Sequence, residues 1–252
     1  MGNWKMNLDF VEALHLAQEI GVVLHHQPLE HTDLVIAPPF VDLRTVCSVV
    51  ESEQIPVGVA AQHVSQFESG AHTGEVSASM LRRLGVTWVI VGHSERRTHY
   101  AMSDEVVAAT LGTVLRVGMN AVVCVGEDEE RRRRGEHQSF VGAQLASALA
   151  GLSPAARATV TVAYEPLWAI GTGVSASIEE IDEMGAFLRS TLDGLDAADS
   201  RILYGGSVNE ENAGDIARVR TLDGFLVGGA SLRAASFLAI GRACDDCYAG
   251  KR

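Results

Sequence analysis

Lysine is almost absent. Of 20 basic residues in a chain of 252, 18 are arginine and only two, Lys5 and Lys251, are lysine. Neither falls on an interior strand-like run, so a mechanism that condenses a buried lysine with a carbonyl substrate is excluded. Long hydrophobic runs are missing too, and none approaches the roughly 18 residues that read as a membrane span. No basic-then-apolar leader opens the sequence, and a cytoplasmic protein is expected. Cysteine is sparse: Cys47, Cys124, Cys244 and Cys247. The Cys244-Asp-Asp-Cys247 spacing offers two ligands where a closed zinc site wants four, so no metal is expected and residues 242–252 read as a polar C-terminal tail. Positive charge is in deficit as well, with a net charge of −12. That argues against a nucleic-acid or anionic-membrane partner.

What is present is a soluble globular composition, 47% hydrophobic and 21% charged, and a chain long enough to bury roughly three quarters of its unfolded surface. Short runs rich in Val and Ile recur at LVIAP (34–38), VGVAAQ (57–62), TWVIVGH (87–93), AVVCVGE (121–127), TVAYEP (161–166), RILYGG (201–206) and GFLVGG (224–229). They are near-continuously apolar, as parallel strands covered on both faces must be. Helix-like stretches at 104–116, 139–149 and 178–192 alternate with them, the order that makes βαβ units. GNWKMN (2–7) supplies the tail of an eighth strand. Eight units in about 250 residues predict one α/β domain over residues 1–252, a closed (β/α)8 barrel. The alternative, an open doubly wound sheet, would usually carry a glycine-rich phosphate fingerprint after its first strand, and none follows here. The run EDEERRRR (127–134) sets acids four residues before arginines and reads as a solvated helix face.

In such a barrel the loops at the C-terminal strand ends build the active site. Asn3 and Lys5 follow strand one, His93 ends strand four, Glu165 ends strand six, Ser207 follows strand seven, and Gly228 and Gly229 follow strand eight. A carboxylate, an imidazole, an ammonium and amide-rich turns on one rim are the parts for moving a proton beside a carbonyl. No metal or redox cofactor is needed for that chemistry. Lys5 stands out by composition: a chain that writes arginine so consistently has kept a compact ammonium near the barrel mouth.

GNWKMN (2–7), SGAHTGEVS (69–77), VGHSERR (91–97), CVGE (124–127), AYEPLWAIGTG (163–173), YGGSV (204–208) and LVGGASL (226–232), in this order and spacing, resemble the triosephosphate isomerase family from end to end. The resemblance implies that Glu165 shuttles a proton between C1 and C2 of a phosphorylated triose, with His93 as a neutral electrophile. It implies that Lys5 and Asn3 bind substrate and take part in catalysis, with Glu95 in support. Phosphate would meet backbone N–H groups of Gly171, Ser207, Gly228 and Gly229. Residues 166–176 would form a lid with its two hinges, latched by Tyr204 and Ser207, and residues 65–79 a loop through which two copies pair, Thr73 reaching toward the neighbour's site. It also implies a place in glycolysis and gluconeogenesis.

Four departures accompany it. Only Met1 precedes GNWK, so a shortened first strand is expected; Val174 replaces the usual lysine, Met102 an acid, and His63 an asparagine. They leave two other readings to set beside the triose: an isomerase of a four-carbon ketose phosphate such as erythrulose phosphate, and a non-catalytic phosphate-binding barrel.

Overall fold

The structure is a computed structural model that describes residues 1–170 and 175–249. Eight strands among these residues run parallel in sequence order: β1 Gly2–Asn3, β2 Val35–Ala37, β3 Gly58–Ala61, β4 Trp88–Val91, β5 Asn120–Val125, β6 Thr161–Tyr164, β7 Ile202–Tyr204 and β8 Gly224–Phe225. The register runs Gly2↔Ile36 and Ile36↔Val59 on one side and Leu203↔Gly224 on the other. A parallel bridge between Gly2 and Val227 closes the circle. The Asn3 N–H donates to the Val227 carbonyl at 2.8 Å, and the Val227 N–H to that of Met1 at 2.8 Å. The first strand is short, as the sequence predicts, yet bonded on both edges.

Alternation along each strand sorts its apolar side chains into two separate cores. Val35, Ala37, Ala60, Ile90, Val122, Cys124, Ala163 and Leu226 fill the barrel. Their neighbours Ile36, Val59, Val89, Val123 and Val162 face outward and join the helices in a larger cluster. This double burial is why the strands read as unbroken hydrophobic runs. The helices start where their caps dictate. Ser103 accepts from Val106 N–H ahead of the helix Asp104–Arg116, and Ser177 and Glu180 form a reciprocal box ahead of Ile178–Gly194.

Two expectations need correction. The segment read as a polar tail is helical to Ala249, within a helix that begins at Ala234. Cys244 is buried there, the Cys247 thiol donates to the Ala217 carbonyl at 3.0 Å, and Asp245 accepts from the backbone N–H groups of Glu30 and His31. The charged run 127–134 is only partly a solvated face. Its helix spans Glu129–Arg133, and Arg134 pairs with Glu130 across an exposed turn. Glu127, however, exposes nothing to solvent, and the Arg132 side chain only 15%.

Candidate active site

Glu165 is the first residue beyond β6. Its N–H donates to the Val125 carbonyl at 2.8 Å, which carries the strand pairing one residue past the assigned end and fixes where the side chain starts. The side chain is 2% exposed. One carboxylate oxygen accepts the Ser94 N–H at 2.9 Å, and the other lies 3.0 Å from Nε2 of His93. Burial opposes the charged carboxylate, but His93 and the two Ser94 hydrogen bonds outweigh it and hold Glu165 below the usual carboxylate range. The backbone packs closely here. A Cβ on Gly126 would sit 1.8 Å from the Glu165 carbonyl oxygen, so only glycine lets the β5 end lie against this turn.

His93 caps the short helix Ser94–His99. Its Nδ1 accepts the Glu95 N–H at 3.2 Å. Burial disfavours imidazolium, while the adjoining Glu165 carboxylate favours it more and raises the ring's proton affinity. The Glu95 amide pulls the other way, because its N–H needs an acceptor at Nδ1. A ring with its one proton on Nε2, facing Glu165, satisfies both contacts.

Lys5 reaches the rim from β1. Its φ of 53° is left-handed, a conformation that an ordinary side chain rarely adopts and that costs about 1–3 kcal/mol. Two neighbours hold it there. Asn3 Oδ1 accepts the Lys5 N–H at 3.0 Å, and the Gln62 side-chain amide donates to the carbonyls of Lys5 (2.7 Å) and Ala37 (2.9 Å). Nζ of Lys5 lies 2.6 Å from Oε1 of Glu95. Sequence reasoning overlooked Gln62; its place directly after the apolar run of β3, at the same rim, was the available signal.

One cavity of about 230 Å³ is lined by Asn3, Lys5, His93, Glu165, Ser207, Gly228 and Gly229 together. Every expected site residue that the structure describes is thus brought to one place; Gly171, like Val174, lies outside the described residues. Ser207 Oγ donates to the Ala169 carbonyl at 2.7 Å, linking the loop after β7 to the 3-10 turn Leu167–Ala169. Tyr204 is fully buried. A second cavity of about 220 Å³ opens at the opposite end of the barrel among Val35, Val122, Leu203 and Phe237, and none of the expected catalytic residues lines it. Among the described residues no group of His, Cys, Asp and Glu is placed to hold a metal ion, and no helix is long and apolar enough to cross a membrane.

Comparison with known proteins gives one answer. A family model described as triosephosphate isomerase matches residues 1–244. A triosephosphate isomerase of Rhodococcus jostii is 46% identical over 240 residues, covering 94% of this chain and 92% of that protein. The triosephosphate isomerase of Corynebacterium glutamicum is 46% identical over 94% of this chain and 93% of its own length. That of Mycobacteroides abscessus is 43% identical over 94% and 92%. With a matching family model along nearly the whole chain, and a carboxylate, an imidazole and an ammonium meeting at one barrel mouth, the chain belongs to the triosephosphate isomerase family.

Proposed function

We propose that the protein interconverts D-glyceraldehyde 3-phosphate and dihydroxyacetone phosphate through an enediolate, with Glu165 as the base. The observation that carries this reading is the buried Glu165 carboxylate 3.0 Å from Nε2 of His93, at the wall of a cavity that Lys5 also lines. Glu165 removes a proton from one carbon of the substrate and returns it to the neighbouring carbon. The Nε2–H of His93 donates to the oxygen on which charge develops, and the Lys5 ammonium, steered by Glu95, lowers the cost of that charge. Asn3 orients the peptide that presents Lys5 and binds substrate beside it. Phosphate lies against backbone N–H groups of Ser207, Gly228 and Gly229.

The working unit is a homodimer joined through residues 65–79. Phe67 and Met80, at and beside that segment, are 44% and 57% exposed, large apolar surfaces of the kind that a partner covers. Thr73 reaches the neighbouring site from the same loop, and the cytoplasm is the compartment this reading implies. The test is turnover by the purified protein. A kcat/KM on D-glyceraldehyde 3-phosphate above about 10⁶ M⁻¹s⁻¹, toward the diffusional range, is expected. A value near background would overturn the reading, and a mass from light scattering of one chain would overturn the dimer.

A further inference from the structure

We infer that Arg132 is a positioning residue for Glu165: it compensates the buried Glu127 carboxylate that grips the turn on both sides of the base, and it ties that turn to the helix Ile178–Gly194. The inference rests on the reading of Glu165 as the base.

Glu127 holds the Glu165 turn at three points. Its Oε1 accepts from the Tyr164 hydroxyl and from the Trp168 indole N–H, each at 3.0 Å, and its backbone carbonyl accepts the Leu167 N–H at 3.0 Å. These donors stand one residue before Glu165 and two and three residues after it. Burial pushes the Glu127 carboxyl upward, against ionisation, and its hydrogen bonds and Arg132 work the other way. Among the described residues Arg132 supplies the sole cation paired with it, Nη1 lying 4.0 Å from Oε1. The guanidinium also lies 5.6 Å from the centre of the Trp168 ring. Its other arm, Nη2, lies 3.1 Å from Glu183 and 3.5 Å from Glu180, the residue whose carboxylate caps Ser177. His137 and Gln138 fix Glu183 from the far side. A single fork-shaped side chain thus touches both flanks of the segment that separates Trp168 from Ser177. The groups facing Glu127 and Arg132 are Tyr164, Trp168, Glu180 and Glu183, with His137 behind Glu183.

Removing one partner of a buried charge pair leaves the other uncompensated. Arg132→Met is expected to lower kcat on D-glyceraldehyde 3-phosphate at least about tenfold. It should also add an acid limb to the kcat profile, absent from the wild type, as Glu127 takes up a proton. Arg132→Lys, which keeps the charge, should remove that limb. In a Glu127→Gln background, Arg132→Met should change kcat less than about threefold, because no buried charge is left to compensate. A wild-type rate and pH profile in Arg132→Met would overturn the inference. So would a slow variant with no new limb, which would mark a merely structural loss. If Arg132→Met does not fold, the double variant decides: a folded, active double variant supports the inference and an unfolded one overturns it. Glu165→Gln, run alongside, separates the two readings, since near-normal turnover there would remove the base itself.

Discussion

Two glutamates, Glu127 and Glu165, sit at the ends of adjacent strands, both essentially buried, and the protein treats them oppositely. Glu165 meets an imidazole and two Ser94 hydrogen bonds, which hold it ionised. Glu127 meets a phenol, an indole and a guanidinium 4.0 Å away, which offset burial only in part and leave its carboxyl shifted upward. Glu165 faces the cavity and Glu127 stands behind the turn that carries Glu165. For the base proposed at Glu165 to exchange its proton with substrate, its partners have to give way to the substrate. A clamp must not move, so its partners come from β6, from the 3-10 turn Leu167–Ala169 and from the helix Glu129–Arg133. Residue type and depth are the same; what each oxygen touches separates chemistry from support.

Neutralising each glutamate in turn puts this contrast at greatest risk. Glu165→Gln is expected to lower kcat at least about 100-fold with a modest change in KM, the mark of a lost general base, whereas Glu127→Gln, which can still accept from Tyr164 and Trp168, should lose less than about tenfold. Equal losses would mean that the two carboxylates do the same kind of work. Lys5→Arg should also fall by about 100-fold in kcat/KM, because a planar fork cannot replace a compact ammonium paired with Glu95. Full activity in that variant would show that the scarcity of lysine has no bearing on the chemistry at this position.

Gly126→Ala probes the same contrast through the backbone, since its new methyl group would strike the chain between the two glutamates. A loss of about 3 kcal/mol or more in urea unfolding is expected, with activity falling in proportion to the displaced turn. A stable, active variant would show that the close approach of β5 to Glu165 is dispensable. The acid limb of kcat/KM that belongs to Glu165 should lie below the usual carboxylate range, once the substrate phosphate, which titrates near about pH 6, is corrected for. A limb shifted upward would mean that burial wins at Glu165 as it does at Glu127.

The smallest effect belongs to His63, pushed down to about 4 first by burial and then by Arg96, with Glu75 opposing. A histidine whose folded pKa is depressed stabilises the fold above its ordinary pKa, and that contribution is lost as pH falls toward the folded value. Between pH 7 and pH 5 the wild type should lose about 2 kcal/mol more than His63→Asn, at about 1.4 kcal/mol per unit. Parallel pH dependence in urea unfolding would contradict this.

Much of this was legible in the sequence because double burial leaves a plain signature. All seven quoted apolar runs overlap a strand, six of them containing it whole, and 104–116 is helical from end to end. The rim residues were legible because the barrel assigns them a place once the strands are known. The clamp was not. EDEERRRR has the spacing of a surface helix, and nothing local distinguishes Glu127 and Arg132 from the exposed Glu130 and Arg134. Their burial depends on Tyr164 and Trp168, distant in sequence, arriving on the same side. The last helix was misread for the converse reason: CDDC looks polar, but Phe237, Leu238, Ile240 and Cys244 form the buried face and Asp245 caps a loop. Gln62 escaped notice because its partners are backbone carbonyls, which no side-chain pattern announces.

That Glu165 itself carries the proton is tested most directly by NMR. Deuterium is followed from solvent into the carbon-bound hydrogens of dihydroxyacetone phosphate, with wild type and Glu165→Gln side by side. Rapid incorporation by the wild type is expected, and incorporation at least about 100-fold slower by the variant. Equal rates in the two proteins would contradict a proton carried by Glu165.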